Sequence, residues 1–263
     1  MEHPSIFVAI LTLAFLIGLL WTIKRARRGH SYYIRRIAGI DAVDEAIGRS
    51  VELGRPVAFT SGLTSVGPLL YACLSVLRHV GRKMARLRSR IFVPCFDPEA
   101  MALTDATLQN AYRAEGKLSR YNPTSVRFLS NEQFAFASGY MGLAHRENIG
   151  SAFLFGTFAA ESLILAEAGQ QIGAQQVAAT TSPEQVPFFL TTCDYTLIGE
   201  ELFAAGAYLS DDPVQKASLR AQDIAKLCLL LLVIVGVLEA TLSATFEITP
   251  RLNIPALLQG GED

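Results

Sequence analysis

Two long apolar blocks near the ends of the chain constrain it most. Ile6 to Ile23 (IFVAILTLAFLIGLLWTI) carries no charged residue. As a helix rising about 1.5 Å per residue it spans roughly 27 Å, close to the hydrocarbon thickness of a bilayer. Trp21 lies near the end of the block, where an indole ring suits a membrane interface. The second block, Leu227 to Phe246 (LCLLLLVIVGVLEATLSATF), contains one charge, Glu239. A signal peptide needs positive charge before its apolar run and a small-residue cleavage site after it. Here Glu2 and His3 precede the first block, and Lys24, Arg25, Arg27, Arg28, Arg35 and Arg36 follow it, so it reads as an uncleaved anchor. Lys216, Arg220 and Lys226 precede the second block, and Arg251 is the one basic residue after it. Basic flanks stay on the cytoplasmic side. Both blocks therefore predict one topology in the cell (inner) membrane: both termini outside, the middle of the chain in the cytoplasm. The predicted parts are an anchor with a basic juxtamembrane segment (1–36), an α/β domain with a helical extension (37–215), and a second span with a short external tail (216–263).

Composition agrees with that division. Of 263 residues, 51% are hydrophobic and 18% charged, and the mean hydropathy is +0.31; an ordinary soluble domain carries nearer a quarter charged residues. Such apolar content excludes a disordered chain. Four cysteines in this length make no disulfide framework. With 23 basic and 24 acidic residues the net charge is −1, so no nucleic-acid footprint is expected. A third apolar stretch, Leu63 to Leu77, contains Pro68 and is short for a span. It reads as a buried helix of the domain, with a membrane-grazing helix as the alternative.

Between the blocks, short β-type runs alternate with helical ones. PVAFT (56–60), RIFVPC (90–95), SVRFL (125–129), SAFLF (151–155) and QQVAA (175–179) read as five strands. Helices are expected over 41–48, from Ser61-Gly62 to about Lys83, over 99–115, from Ser130 to Arg146, and from Gly156-Thr157 to about Gln171. Asp97-Pro98 suits a helix start, because Asp caps and Pro fits the first helical position; Ser130 and Gln133 have capping-box spacing. Strands that alternate with helices predict βαβ units and a parallel sheet, here a five-stranded, three-layer Rossmann-like or flavodoxin-like sandwich. Segments 182–194 and 195–209 read as two further apolar helices.

In such a sheet, ligands bind beyond the carboxyl ends of the strands. That rule selects Thr60, Ser61, Gly62 and Thr64 after the first strand and Asp97 after the second. It adds Ser130 and Asn131, Gly156 and Thr157, and Thr180 and Thr181 after the third, fourth and fifth. These are small or capping residues at helix starts, where backbone N–H groups receive anions but where any helix also needs caps. No G-x-G-x-x-G or Walker loop follows a strand. Gly62, Ser65 and Gly67 miss the nucleophile-elbow spacing, since Leu63 stands where that motif needs glycine. The histidines and cysteines form no metal-ligand spacing, so neither cofactor nor metal is expected. Glu161 and Asp194 are added to this candidate strand-end rim; both lie among apolar residues, where a carboxyl pKa can rise or the group can simply cap or pair. Glu239 lies within a span, where a charge faces a partner or water, or snorkels to the interface. The basic run Arg78 to Arg90, with Arg82, Lys83 and Arg86, can grip lipid headgroups together with Arg25, Arg27, Arg28, Arg35 and Arg36, or form a solvated helix end.

From Ile37 onward, GRPVAF, AESLILAEAG with GA…QVAAT after it, PFFLTTCDYTLIGEELFAAGAYLS, and the QDIAK that opens the final span carry a likeness. The chain resembles an uncharacterised prokaryotic membrane-protein family, catalogued as a domain of unknown function. The resemblance implies two spans and a Rossmann-like cytoplasmic domain, with no catalytic residues to carry over. The expected function is a non-enzymatic, membrane-anchored scaffold that self-associates through this domain and its membrane helices. A tethered small-molecule or nucleotide-binding or enzymatic domain is one alternative; an accessory subunit of a transport or redox complex is the other. Expected partners are the bilayer, further copies of the chain and other membrane subunits, with no nucleic acid.

Overall fold

The computed structural model describes residues 6–28, 38–209 and 213–246. The chain divides into two compact units, Arg35–Asp211 and the two terminal segments together. Arg35, Arg36 and the side chain of Glu239, expected above to meet lipid or lie within a span, fall outside the described residues.

In the terminal unit, α1 (Ile6–Arg27) packs against α9 (Pro213–Phe246). Thr22 and Ala26 of α1, and Ala217 and Ala221 of α9, are buried; small side chains of this kind let two backbones approach closely. Most of the described apolar side chains on both helices, Leu13, Leu20, Leu230 and Leu231 among them, are exposed. Among the described residues, one segment, Ala217–Leu238, is long and apolar enough to cross a membrane. The expectation was two such segments. The first block is helical as expected, but α1 ends in Lys24, Arg25 and Arg27.

The domain begins with α2 (Ala38–Glu52) and then alternates: β1 (Val57–Gly62), α3 (Pro68–Leu87), β2 (Ile91–Cys95), α4 (Pro98–Ala114), β3 (Val126–Phe128), α5 (Gln133–Glu147), β4 (Ser151–Thr157), α6 (Ser162–Gln171), β5 (Gln175–Thr180), α7 (Val186–Thr192), β6 (Tyr195–Ile198) and α8 (Glu201–Leu209). All strand pairs are parallel, in the order β3-β2-β1-β4-β5-β6. The sheet has six strands rather than the five expected. The sixth lies in the stretch read as one helix over 195–209, where Tyr195-Thr-Leu-Ile pairs with Val177 to Thr180 and Gly199, at φ +58°, turns the chain into α8.

Strand residues alternate between two cores, as a period of two requires. Val57, Phe59, Phe153, Phe155, Val177 and Ala179 face α2, α3, α4 and α8. Ala58, Leu154 and Ala178 face α5, α6 and α7. Both faces are covered, so the central strands are buried along their length, apart from the half-buried Thr157 that ends β4. Leu63–Leu77 lies largely in α3, which buries Leu70, Cys73, Leu74, Leu77, Val80 and Met84 along one stripe. The buried-helix reading of that stretch is the one the packing supports. Helix α2 runs against the strand direction, because Gly39 abuts Leu197 near the end of β6 while Ser50 hydroxyl donates to Ser151 at the start of β4 (2.8 Å).

Candidate functional site

The chain reverses strand order between β1 and β4, and in a doubly wound sheet the crevice at that switch point is where a dinucleotide binds. Here the crevice is closed by its own groups. Gly62 (φ +58°) ends β1, and Thr60 Oγ1 accepts its N–H (3.1 Å) while donating to the Pro94 carbonyl (3.0 Å). Leu63 N–H donates to the Thr157 carbonyl (2.9 Å). Thr157 N–H donates to Thr64 Oγ1 (2.7 Å), which itself donates to the Ser61 carbonyl (2.5 Å). With the Thr64 N–H also donating to the Ser61 carbonyl (3.2 Å), the amides of Gly62, Leu63, Thr64 and Thr157 are consumed inside the protein, and the Phe158 ring lies against Gly62. Gly156 makes the closure possible: a Cβ there would stand 2.2 Å from the Ser61 carbonyl oxygen.

The remaining rim residues follow the same pattern. Asp97 caps α4 by accepting Glu99 N–H (2.9 Å). Ser130 hydroxyl accepts Glu132 N–H (3.0 Å), in place of the expected capping box, and Glu132 is the residue before α5. Asn131 is exposed beside it. Thr180 Oγ1 accepts Ser182 N–H (3.1 Å), and Thr181 is half-buried in the following turn. Glu161 is buried, accepts Gln133 Nε2 (2.6 Å) and Ala159 N–H (3.0 Å), and so ties the start of α6 to the start of α5. Topology brings these residues to one edge, and nearly all of them act there as caps and staples.

Asp194 belongs elsewhere. It precedes β6 at the opposite, amino edge of the sheet and accepts Gln176 N–H (2.7 Å). It lines a shallow cleft of about 390 Å³ with Arg49, Gly173, Gln175, Gln176 and Cys193. Burial pushes the Cys193 thiol up to about 12, so it remains protonated.

A second amino-edge cavity, of about 450 Å³, lies where β2 and β3 begin. Arg88, Arg90, Arg120 and Arg127 line it, with Phe92, Tyr112 and Glu147. Arg88 and Arg90 belong to the basic run Arg78 to Arg90, whereas Arg120 and Arg127 lie outside it. No spacing signal links residues that far apart along the chain.

The residues expected to face lipid headgroups divide. Arg82 and Arg86 both donate to Glu115 (2.7 and 2.5 Å), and Lys83 pairs with Asp44 (2.7 Å). Arg25 stacks over Trp21, 5.2 Å from the ring centroid, and Arg27 and Arg28 are exposed.

One family model covers residues 1–250, a domain of unknown function designated DUF6754. The chain belongs to that family. The match includes α1 and α9 as well as the α/β domain, so all of the described residues fall within it. No curated protein and no solved structure matches the chain.

Proposed function

We propose that the protein is a membrane-anchored, non-enzymatic scaffold whose α/β domain self-associates beside the bilayer. In this reading the Ala217–Leu238 segment of α9 and the apolar part of α1 cross the membrane, with both termini outside and the domain in the cytoplasm. The observation that carries the reading is the closed switch point. The place where this topology presents a ligand to catalytic residues has its amides bonded internally, while the helical layer beside it exposes large apolar side chains. Phe134 of α5 is 58% exposed, Leu163 of α6 44%, and Phe188 and Leu190 of α7 44% and 57%. The starts of these three helices are tied together by the Gln133–Glu161 and Ser162–Gln185 hydrogen bonds, and we take the exposed Phe134, Leu163 and Phe188, each within three residues of one of those bonds along the chain, as one patch.

The occupant we assign to the patch is a second copy of this chain. Copies tethered to one bilayer hold their patches at one height, which suits a two-fold contact in which the same surface meets itself. Glu132 and Glu184, two and four residues before Phe134 and Phe188, are exposed, and acidic groups oppose adsorption to anionic lipid. The test mixes donor- and acceptor-labelled full-length chains in nanodiscs. Energy transfer is expected for the wild type and is expected to fall to background for Phe134→Ser with Phe188→Ser, whose melting temperature stays near that of the wild type because both side chains are exposed. Background transfer in the wild type, or undiminished transfer in the double variant, contradicts this assignment.

A further inference from the structure

We propose that the amino-edge cavity between β2 and β3 binds a compact phosphate-bearing anion, a diphosphate group or a phosphorylated small molecule, through Arg88, Arg90, Arg120 and Arg127. The four arginines line one cavity of about 450 Å³, together with one acidic residue, Glu147. That volume lies within the usual range of small-molecule sites. Glu147 is shared between Arg90 (3.5 Å) and Arg146 (3.4 Å), both at the long end for an ion pair. Arg127 donates Nε to the Thr124 carbonyl (2.6 Å) and holds its guanidinium over the Phe92 ring. Its remaining donors stay available. Arg88 and Arg120 donate no side-chain hydrogen bond to a described residue.

This contrasts with the preceding turns of α3, where Arg82, Lys83 and Arg86 each find a carboxylate. The basic run therefore divides into Arg82, Lys83 and Arg86, paired on α3, and Arg88 and Arg90 at the cavity, of which Arg90 reaches a carboxylate only at 3.5 Å. Four like charges around one concave space raise its affinity for an anion, and planar guanidinium forks match phosphate oxygens two at a time. The backbone gives an independent indication. Arg88 closes α3 at φ +59°, its N–H bonded to the Met84 carbonyl. That left-handed position is where glycine serves best, and an arginine held there despite the strain points to a use for its side chain.

The experiment is calorimetric titration of the full-length chain in phosphatidylcholine nanodiscs with sodium pyrophosphate. Saturable one-to-one binding is expected. Arg120→Ala and Arg88→Gly should each weaken it by about tenfold or more, the value of one charge-assisted contact. Arg88→Gly should also raise the melting temperature, because it relieves the left-handed strain, so its loss of affinity cannot be ascribed to misfolding. Absence of saturable binding, or unchanged affinity in both variants, overturns the proposal. Repeating the titration in discs containing one-fifth phosphatidylglycerol identifies the source of the phosphate. Weaker pyrophosphate binding there assigns the site to lipid headgroups, and unchanged binding assigns it to a soluble ligand. A single-stranded RNA that displaces pyrophosphate and binds more tightly overturns the small-anion assignment.

Discussion

At Gly156 a single methyl group would place a Cβ 2.2 Å from the Ser61 carbonyl oxygen and 2.4 Å from Thr64 Oγ1, at a φ of +154° that L side chains rarely adopt. Gly156→Ala is therefore expected to lower unfolding free energy by roughly 2–3 kcal/mol in chemical denaturation. It should also open the Thr157–Thr64 contact, seen as faster hydrogen exchange at the Thr157 amide. Glu115 supplies a pH-dependent residue. Hydrogen bonds from Arg86 and then Arg82 hold its carboxyl down to about 2, against an ordinary 4.5. A carboxyl lowered by folding contributes stability above its unfolded value and loses that contribution as pH falls through its folded value. Between about pH 4.5 and 2 the melting temperature of the wild type should thus fall more steeply than that of Glu115→Gln. Equal slopes would show that the Glu115 pair makes no net contribution. At this scale the sequence was informative about local chemistry: Asp97 caps α4, and the residues at the strand ends reach one edge, except Asp194, which lies at the opposite one. It was silent about Thr64 closing on Thr157, because that bond joins positions 93 residues apart.

Helices and strands differ in how much of themselves they advertise. Helix α3 is legible because its buried positions recur every three or four residues for 20 residues. Strand β6 is four residues long and runs into the apolar helix α8, so periodicity merged the two. What marks it physically is Gly199, which stops the strand, and Asp194, whose carboxylate holds the Gln176 N–H as the strand begins. The strand matters to the element next to it, because Leu197 is fully buried and carries the start of α2 through Gly39. Leu197→Ala should cost about 2–4 kcal/mol. In exchange experiments the loss should concentrate on amides of β6 and the first turns of α2. Uniform loss across the sheet would mean that β6 is no stability unit of its own.

Across the whole molecule, the alternation of strands and helices made the parallel α/β domain readable, and the two apolar blocks located the terminal helices. The strand order was not readable in detail, nor was the cavity formed by Arg88, Arg90, Arg120 and Arg127, since both depend on which distant segments become neighbours. The domain is also polarised in a way that composition hides. Acidic residues such as Asp97, Glu99, Glu132 and Glu201 gather at helix starts on the carboxyl edge, and arginines gather at the amino edge. Each sign lies where the helix dipole favours it, so a net charge of −1 conceals two edges of opposite character. With the switch point closed, the exposed apolar side chains on α5, α6 and α7 are what the scaffold reading rests on. The most direct measurement is the protein mass of the full-length chain in mild detergent, by light scattering with the detergent contribution subtracted. A discrete particle holding two or more copies is expected, and a monodisperse monomer across the accessible concentration range would contradict self-association.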